Sequence, residues 1–483
     1  MVWRRLSTKL SRESKDEIDP YYLFMITFSQ ALFSSGYPVA EVLKRLGSQH
    51  YFSPYHHYYK RISNLVNGFG YKISVAIGAV LGQVSIKPFK EYLVRLSQAI
   101  SYGDDLVDFL GRELRTSMTF FEAVNSRKQE SMNTFLALYG TLNSALVFLI
   151  VDITVLAVLY GIGISLITLL SVAVAMISMM MTLVVYVLYK PYARIIFPRH
   201  AYLTSSLVGL VGLILVFIGR SLPFVVGAGA IMLGMGLYYR VIERGIEKVE
   251  GDYLVFVRYF SRTFDVVRNV PESLLGVLRG ELGAVRGLVK KMHNRIILGV
   301  DKRIVFETMS VESHSHTVSM SNAVVSSTLE AGGNLGSIGE NLAQLLEMLS
   351  NIKKRREQNG RTFETTVYTL QLTSSAVGGA LIAIVTIFSK LFQAIATYNV
   401  FSIGNVNIQQ VSFIVLMVLL VLCFTNGFTI AVAYGKPTPV SVYYIGILLI
   451  LTVVTYDITL TLTHNLFSTL FSPGGVIQPP PPS

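Results

Sequence analysis

Seven stretches of this chain are apolar for long enough to cross a bilayer, and they limit its fold more than any motif does. They run from Thr134 to Tyr160, Ile164 to Tyr189, Leu203 to Gly219, Ser221 to Tyr239, Thr366 to Ser389, Val411 to Ala433 and Val440 to Tyr456. A hydrocarbon core of roughly 30 Å needs about 20 such residues in a helix, so each stretch predicts a membrane-crossing helix. The composition agrees: 52% of residues are hydrophobic and 14% charged, where soluble domains carry about a quarter charged. The sequence therefore predicts an all-α polytopic helical membrane protein.

Between the spans lie two charged blocks, and the order of parts repeats: a polar helical block, then apolar spans, twice over. Such internal repeats report architecture directly. The expected divisions are a first cytoplasmic helical module at 1–133, four spans at 134–239, a second module at 240–364, three spans at 365–460 and an external tail at 461–483. That tail ends in Pro479 to Pro482 after Ser472-Pro473-Gly474-Gly475, a composition suited to an extended polyproline-like segment.

Cytoplasmic loops retain lysine and arginine. The first block holds 17 of these residues and the second 18, out of 41 in the chain, so both modules are expected in the cytoplasm. An even number of spans must then separate them. The loop after the second span, with Lys190, Arg194 and Arg199, and Lys436 after the sixth also fall on the cytoplasmic side. The N-terminus is thus expected inside the cell membrane and the C-terminus outside. The opening segment, Met1 to Pro20, begins with basic residues but has no apolar core, so it reads as a cytoplasmic tail rather than a signal peptide.

Within the first module, Asp19-Pro20 has the form of a helix N-cap and first helical position. Phe24, Phe28, Ala31 and Leu32 follow on one face, and after Ser35-Gly36-Tyr37 a second helix is expected from Pro38. The second module repeats this with a helix over Tyr253 to Phe264, a break at Asn269-Val270-Pro271, and Leu274, Leu275 and Leu278. Aligning Phe28-Ser29 with Phe260-Ser261 brings Pro38 to within a single position of Pro271, so the copies stay nearly in register. Later in each copy, Gly103 to Leu106 matches Gly332, Gly333 and Leu335, a turn between packed helices.

Several chemistries are excluded by what they need. A P-loop requires a glycine-rich turn ending in Gly-Lys-Ser/Thr, and Gly435-Lys436-Pro437-Thr438 lacks the preceding glycines and has a proline in place of an amide. His56-His57 and His314-x-His316 lack the spacing of a zinc site and read as solvated residues. The single Cys423 excludes a disulfide framework. The basic excess of the modules is explained by topology and anionic lipid headgroups, so no nucleic acid is expected, and neither is a cofactor.

The duplicated order of parts, with its paired Gly103-to-Leu106 and Gly332-to-Leu335 turns, resembles the F-type platform proteins of the type II secretion and type IV pilus superfamily. Four spans between the modules and three after them look like the archaeal branch, which includes archaellum and adhesive pilus platforms. The resemblance implies a non-enzymatic protein that couples a hexameric cytoplasmic secretion ATPase to the movement of pilin or archaellin subunits into a filament. It also implies a homodimer.

The basic cluster Lys353-Lys354-Arg355-Arg356, with Lys290, Lys291, Lys302 and Arg303, fits contact with an acidic ATPase surface or with membrane lipids. Asp152 is the one acidic residue well inside a span, hence a functional candidate, or else an internal partner of Arg220 or Lys390. Paired aspartates for intramembrane proteolysis are not evident, because Asp152 and Asp457 lie in different spans and Gly103-Asp104 lies in a soluble module. A secondary transporter built from two repeats is the alternative. Against it, the spans show few polar groups to bind a substrate.

Overall fold

The computed structural model describes residues 17–160, 164–189, 196–197, 199–218, 222–396 and 408–470. These residues form α-helices and short 3-10 turns, with no strand among them. The chain is an all-α, multi-pass membrane protein.

The first copy comprises α1 (Pro20–Ser34), α2 (Val39–Ser48), α3 (Tyr55–Phe69), α4 (Ile73–Leu81), α5 (Lys87–Tyr102) and the start of α6 (Leu106–Tyr160). Then come α7 (Ile164–Leu188) and α8 (Arg199–Ile218), followed by α9 (Leu222–Val267). The end of α9 opens the second copy, which continues through α10 (Val270–Leu278), α11 (Arg286–Ile297), α12 (Lys302–Ser313), α13 (His316–Glu330) and the start of α14 (Leu335–Ala396). The last two helices are α15 (Ile408–Tyr434) and α16 (Ser441–Leu470).

Local chemistry sets these boundaries. Asp19 caps α1 by accepting a 2.8 Å hydrogen bond from the Tyr22 amide, and Pro20 opens the helix, because a proline at the first position loses no helical bond. In the later turn, Gly103 (φ 75°) and Gly332 (φ 67°) both take the left-handed conformation, which glycine adopts at no steric cost. Asp105 and Asn334 then cap α6 and α14 through their side-chain oxygens. Gly70 and Gly299 end α3 and α11 in the same conformation, and the two glycine pairs have the same separation between copies, whereas the earlier Pro38 and Pro271 lie further apart. The second copy is therefore shorter over this stretch, chiefly because α11 has 12 residues where α3 has 15.

The chain divides into two compact units, and it passes between them inside α6, α9 and α14. One unit contains the described residues of 17–128, 196–197 and 241–355, and so draws on both charged blocks. Its single apolar core draws on both copies, with Phe24, Phe28 and Leu96 from the first and Phe256, Phe260 and Leu342 from the second. The copies do not pack symmetrically. Helix α1 is buried all round from Tyr22 to Leu32 and packs against α13, which is buried along most of its length. Its counterpart at the end of α9 buries one face and leaves Tyr259 and Val266 exposed.

The other unit contains 129–189, 199–240 and 356–470 among the described residues. Small residues let its helices approach closely, the usual device where lipid offers no hydrophobic drive between helices. A Cβ on Gly446 would lie 2.6 Å from the Leu233 amide nitrogen and 2.9 Å from the Gly229 carbonyl, and one on Gly427 would lie 2.7 Å from the Ile445 nitrogen. Outward side chains such as Leu169 and Met179 are apolar and exposed, as suits a lipid-facing surface.

Among the described residues six helices, α6, α7, α9, α14, α15 and α16, are long and apolar enough to cross a membrane. The third expected span corresponds to α8, a 20-residue helix whose described apolar stretch covers His200–Ile214. The helix of the seventh span continues to Leu470. Residues 461–470, assigned by sequence to the tail, are thus helical, and the Pro-rich remainder lies outside the described residues.

Candidate functional site

The four basic residues before the fifth span stand on one helix, α14, at steps of about 100°, so they face different surroundings. Lys353 reaches Glu247 at 3.1 Å and Glu250 at 3.2 Å on α9. Ser315, which caps α13, donates to the same Glu250 at 2.5 Å. Burial pulls the Lys353 ammonium toward neutrality, but the two carboxylates outweigh it and hold its pKa above the ordinary value. In the first copy, Lys128 of α6 pairs with Glu17.

Arg356 is half-buried and donates to three backbone carbonyls: Tyr189 at 2.5 Å, Val432 at 2.8 Å and Ala433 at 3.2 Å. These are the ends of α7 and α15, where carbonyls lack helical partners and the helix dipole is negative. A guanidinium with its fork of donors fits two such ends at once. Gly435, at φ 73°, closes α15 beside it, and a Cβ there would fall 2.8 Å from Arg356 Nε. Gly435-Lys436 thus sits at a helix C-terminus, the wrong end for a phosphate.

Lys354 and Arg355 are exposed, and Arg355 donates to Ser126 at 3.2 Å. Of the other basic candidates, Lys290 and Lys302 are exposed. Lys291 pairs with Glu312 at 3.3 Å, a carboxylate also bound by Arg295, and these hydrogen bonds lower the Glu312 pKa. Arg303 pairs with Glu307 at 3.0 Å. A cleft of about 260 Å³ separates α2 of the first copy from α12 and α13 of the second. Its charges are matched within it: Arg45 meets Glu41 at 3.3 Å and Glu330 at 3.8 Å.

The sequence did not indicate a polar network inside the membrane unit. Asn426 on α15 accepts from Tyr139 at 3.0 Å and Asn143 at 3.2 Å on α6, and donates to Gln371 on α14 at 3.0 Å. Gln371 also donates to Thr452 on α16 at 2.9 Å and to the sulfur of Cys423 at 3.3 Å. Ser178 and Thr425 meet at 2.9 Å, and Thr429 donates to Thr182 at 3.1 Å. The expectation of few buried polar groups in the spans is corrected here. The members come from separate spans, and only the packing brings them together. Beside Asn143 and Gln371 is a cavity of about 10 Å³, room for about one water.

Asp152 lies exposed on α6 with no ion pair among the described residues. Arg220 and the side chain of Lys390 lie outside the described residues, as do Lys190, Arg194 and the side chain of Arg199. His56 is buried rather than solvated. It lies 3.4 Å from His50, and burial, with His57 and His50 close by, lowers its pKa.

Residues 30–154 match the model of the family described as Type II secretion system (T2SS), protein F. The matched stretch runs from the end of α1, through the Gly103 turn, into the apolar part of α6. No curated protein and no solved structure matches the chain.

Proposed function

We infer that this chain is the integral membrane platform of a type IV pilus-like assembly machine of the archaeal branch, either a pilus or an archaellum. It couples a hexameric cytoplasmic secretion ATPase to the insertion of pilin or archaellin subunits, with no chemistry of its own. One observation carries the reading. The second copy lies wholly outside the residues matched to the T2SS F family, yet it repeats the first copy's helix order and its left-handed glycine turn. Duplication of that module on one membrane unit is the organisation the family resemblance implies. Four apolar helices, α6 to α9, lie between the copies and three follow, which supports the archaeal branch.

In this reading the modules face the cytoplasm, the C-terminus is external, and two copies form the base of the filament. Of the basic cluster, Lys354 and Arg355 are directed to an acidic ATPase surface or lipid headgroups, while Lys353 and Arg356 hold the chain together. The polar network of the spans is satisfied largely by its own side chains, which favours a packed bundle over the substrate cavity a transporter needs.

The test is affinity capture of the detergent-solubilised chain by a secretion ATPase from the same genome, alongside substrate uptake in vesicles. Capture of the wild type, reduced by Lys354→Ala with Arg355→Ala, is the expected result for a motor contact. Undiminished capture assigns the pair to lipid. Uptake without capture overturns the platform in favour of a transporter.

A further inference from the structure

The two copies share a feature that their family resemblance does not use. At the turn joining the third and fourth helices of each module, the same two positions are apolar and exposed. In the first copy they are Phe69, 75% exposed, and Val75, 51% exposed. In the second they are Leu298, 80% exposed, and Ile304, 54% exposed. Phe69 corresponds to Leu298, and Val75 to Ile304, in the same register that matches the left-handed Gly70 to Gly299 between them.

Isolated exposed apolar residues need no explanation. Here the residue types have changed between copies, from Phe to Leu and from Val to Ile, while size class, exposure and turn geometry have not. The neighbouring positions have diverged freely: Lys72 corresponds to Asp301, Ile73 to Lys302, and Gly78 to Glu307. Folding does not account for the pattern, because the inward residues of α4 and α12, Ile77 and Phe306, already fill the core. Burying side chains of this size against a partner contributes appreciably to binding.

The surroundings state the chemistry of the occupant. Residues 55–81 carry Lys60, Arg61 and Lys72 and no acidic residue, and the matching residues 286–313 carry six basic residues against Asp301, Glu307 and Glu312, so both tips stand in a net basic setting. We propose that the Phe69/Val75 and Leu298/Ile304 tips are twin docking knobs for one repeated site on a rotationally symmetric cytoplasmic homo-oligomer, an apolar pocket with an acidic rim. A partner whose identical subunits present that pocket more than once meets the same knob twice from a single chain, which gains avidity from the linkage. The proposal rests on the platform reading and names the surface through which the motor is engaged.

The experiment uses the full chain in detergent with the immobilised secretion ATPase. The double variants Phe69→Ser/Val75→Ser and Leu298→Ser/Ile304→Ser should each weaken capture by at least about tenfold, and all four together should abolish it. Lys72→Glu with Lys302→Glu should weaken it as well. All four positions are exposed, so the variants should keep the wild-type unfolding midpoint. Capture of the fourfold variant at the wild-type level overturns the docking knobs while leaving the platform standing, whereas no capture of the wild type overturns both. Two further results also refute the proposal. One is a fourfold variant that turns a dimer into a monomer, which assigns the tips to a second copy of this chain. The other is quenching of Leu298→Trp by brominated lipid in proteoliposomes, beyond the Trp3 background, which assigns them to the membrane.

Discussion

Replacing Arg356 by alanine should loosen the membrane unit by a predictable amount. The side chain makes three hydrogen bonds to carbonyls at the ends of α7 and α15, and bonds to a charged donor contribute about 1.5–3 kcal/mol each. Water can reach part of this half-buried site in the variant, so the loss should be about 3 kcal/mol rather than the full sum. Arg356→Lys keeps the charge but not the fork, and should recover about half. Gly435 supplies an internal control. Gly435→Ala alone incurs the left-handed backbone cost, about 1 kcal/mol, and also displaces the guanidinium that its new Cβ would meet at 2.8 Å. In the Arg356→Ala background the second cost vanishes, so the pair should be strongly non-additive. Unfolding in mixed detergent micelles, read as a shift in midpoint, measures all four chains. An Arg356→Ala midpoint within about 0.5 kcal/mol of wild type, or additivity with Gly435→Ala, would refute the double cap.

Lys353→Ala should destabilise the module unit by about 1–3 kcal/mol, because Glu247 and Glu250 lose their cation in a partly buried site; Lys353→Ala with Glu247→Gln and Glu250→Gln should recover most of it in the same assay. The Asp19 carboxyl is raised to about 6, chiefly by burial, with its bonds from Tyr22 and Tyr55 opposing the shift. A folded-state pKa above the unfolded one means stability that is full below about pH 4 and lost as pH rises through 6; wild type should therefore unfold later at pH 5 than at pH 7.5, by on the order of 1–3 kcal/mol, and Asp19→Asn should flatten that difference. Gly446→Leu should prevent assembly of the membrane bundle, since no side chain fits against Leu233 and Gly229; retention of a monodisperse folded peak in detergent would contradict it.

Much of the fold could be read directly because local signals were strong. Asp19-Pro20, Asn269-Val270-Pro271 and the paired glycine turns act through caps and φ angles that only neighbouring residues decide. The long helices were less legible. A polarity change at Asn133-Thr134 marks where a span begins, but nothing there stops a helix, so α6 runs through it, as α9 and α14 do at their own changes. The end of α16 was missed for the same reason: Thr459, His464 and Ser468 lower the hydropathy without breaking the helix. The site was legible only as a composition. Four consecutive cations look alike in sequence, whereas helical phase sends Lys353 to Glu250 and Arg356 to the ends of two other helices. The Asn143–Asn426–Gln371 network joins residues far apart in the chain, a separation at which no periodicity carries information.

If this chain is the base on which a filament is built, deleting its gene and imaging the cell surface, with pilin processing followed in parallel, tests that role most directly. Filaments should vanish while processed subunits accumulate in the membrane, and the wild-type gene should restore them. Filaments of normal number and length on the deletion strain would contradict it.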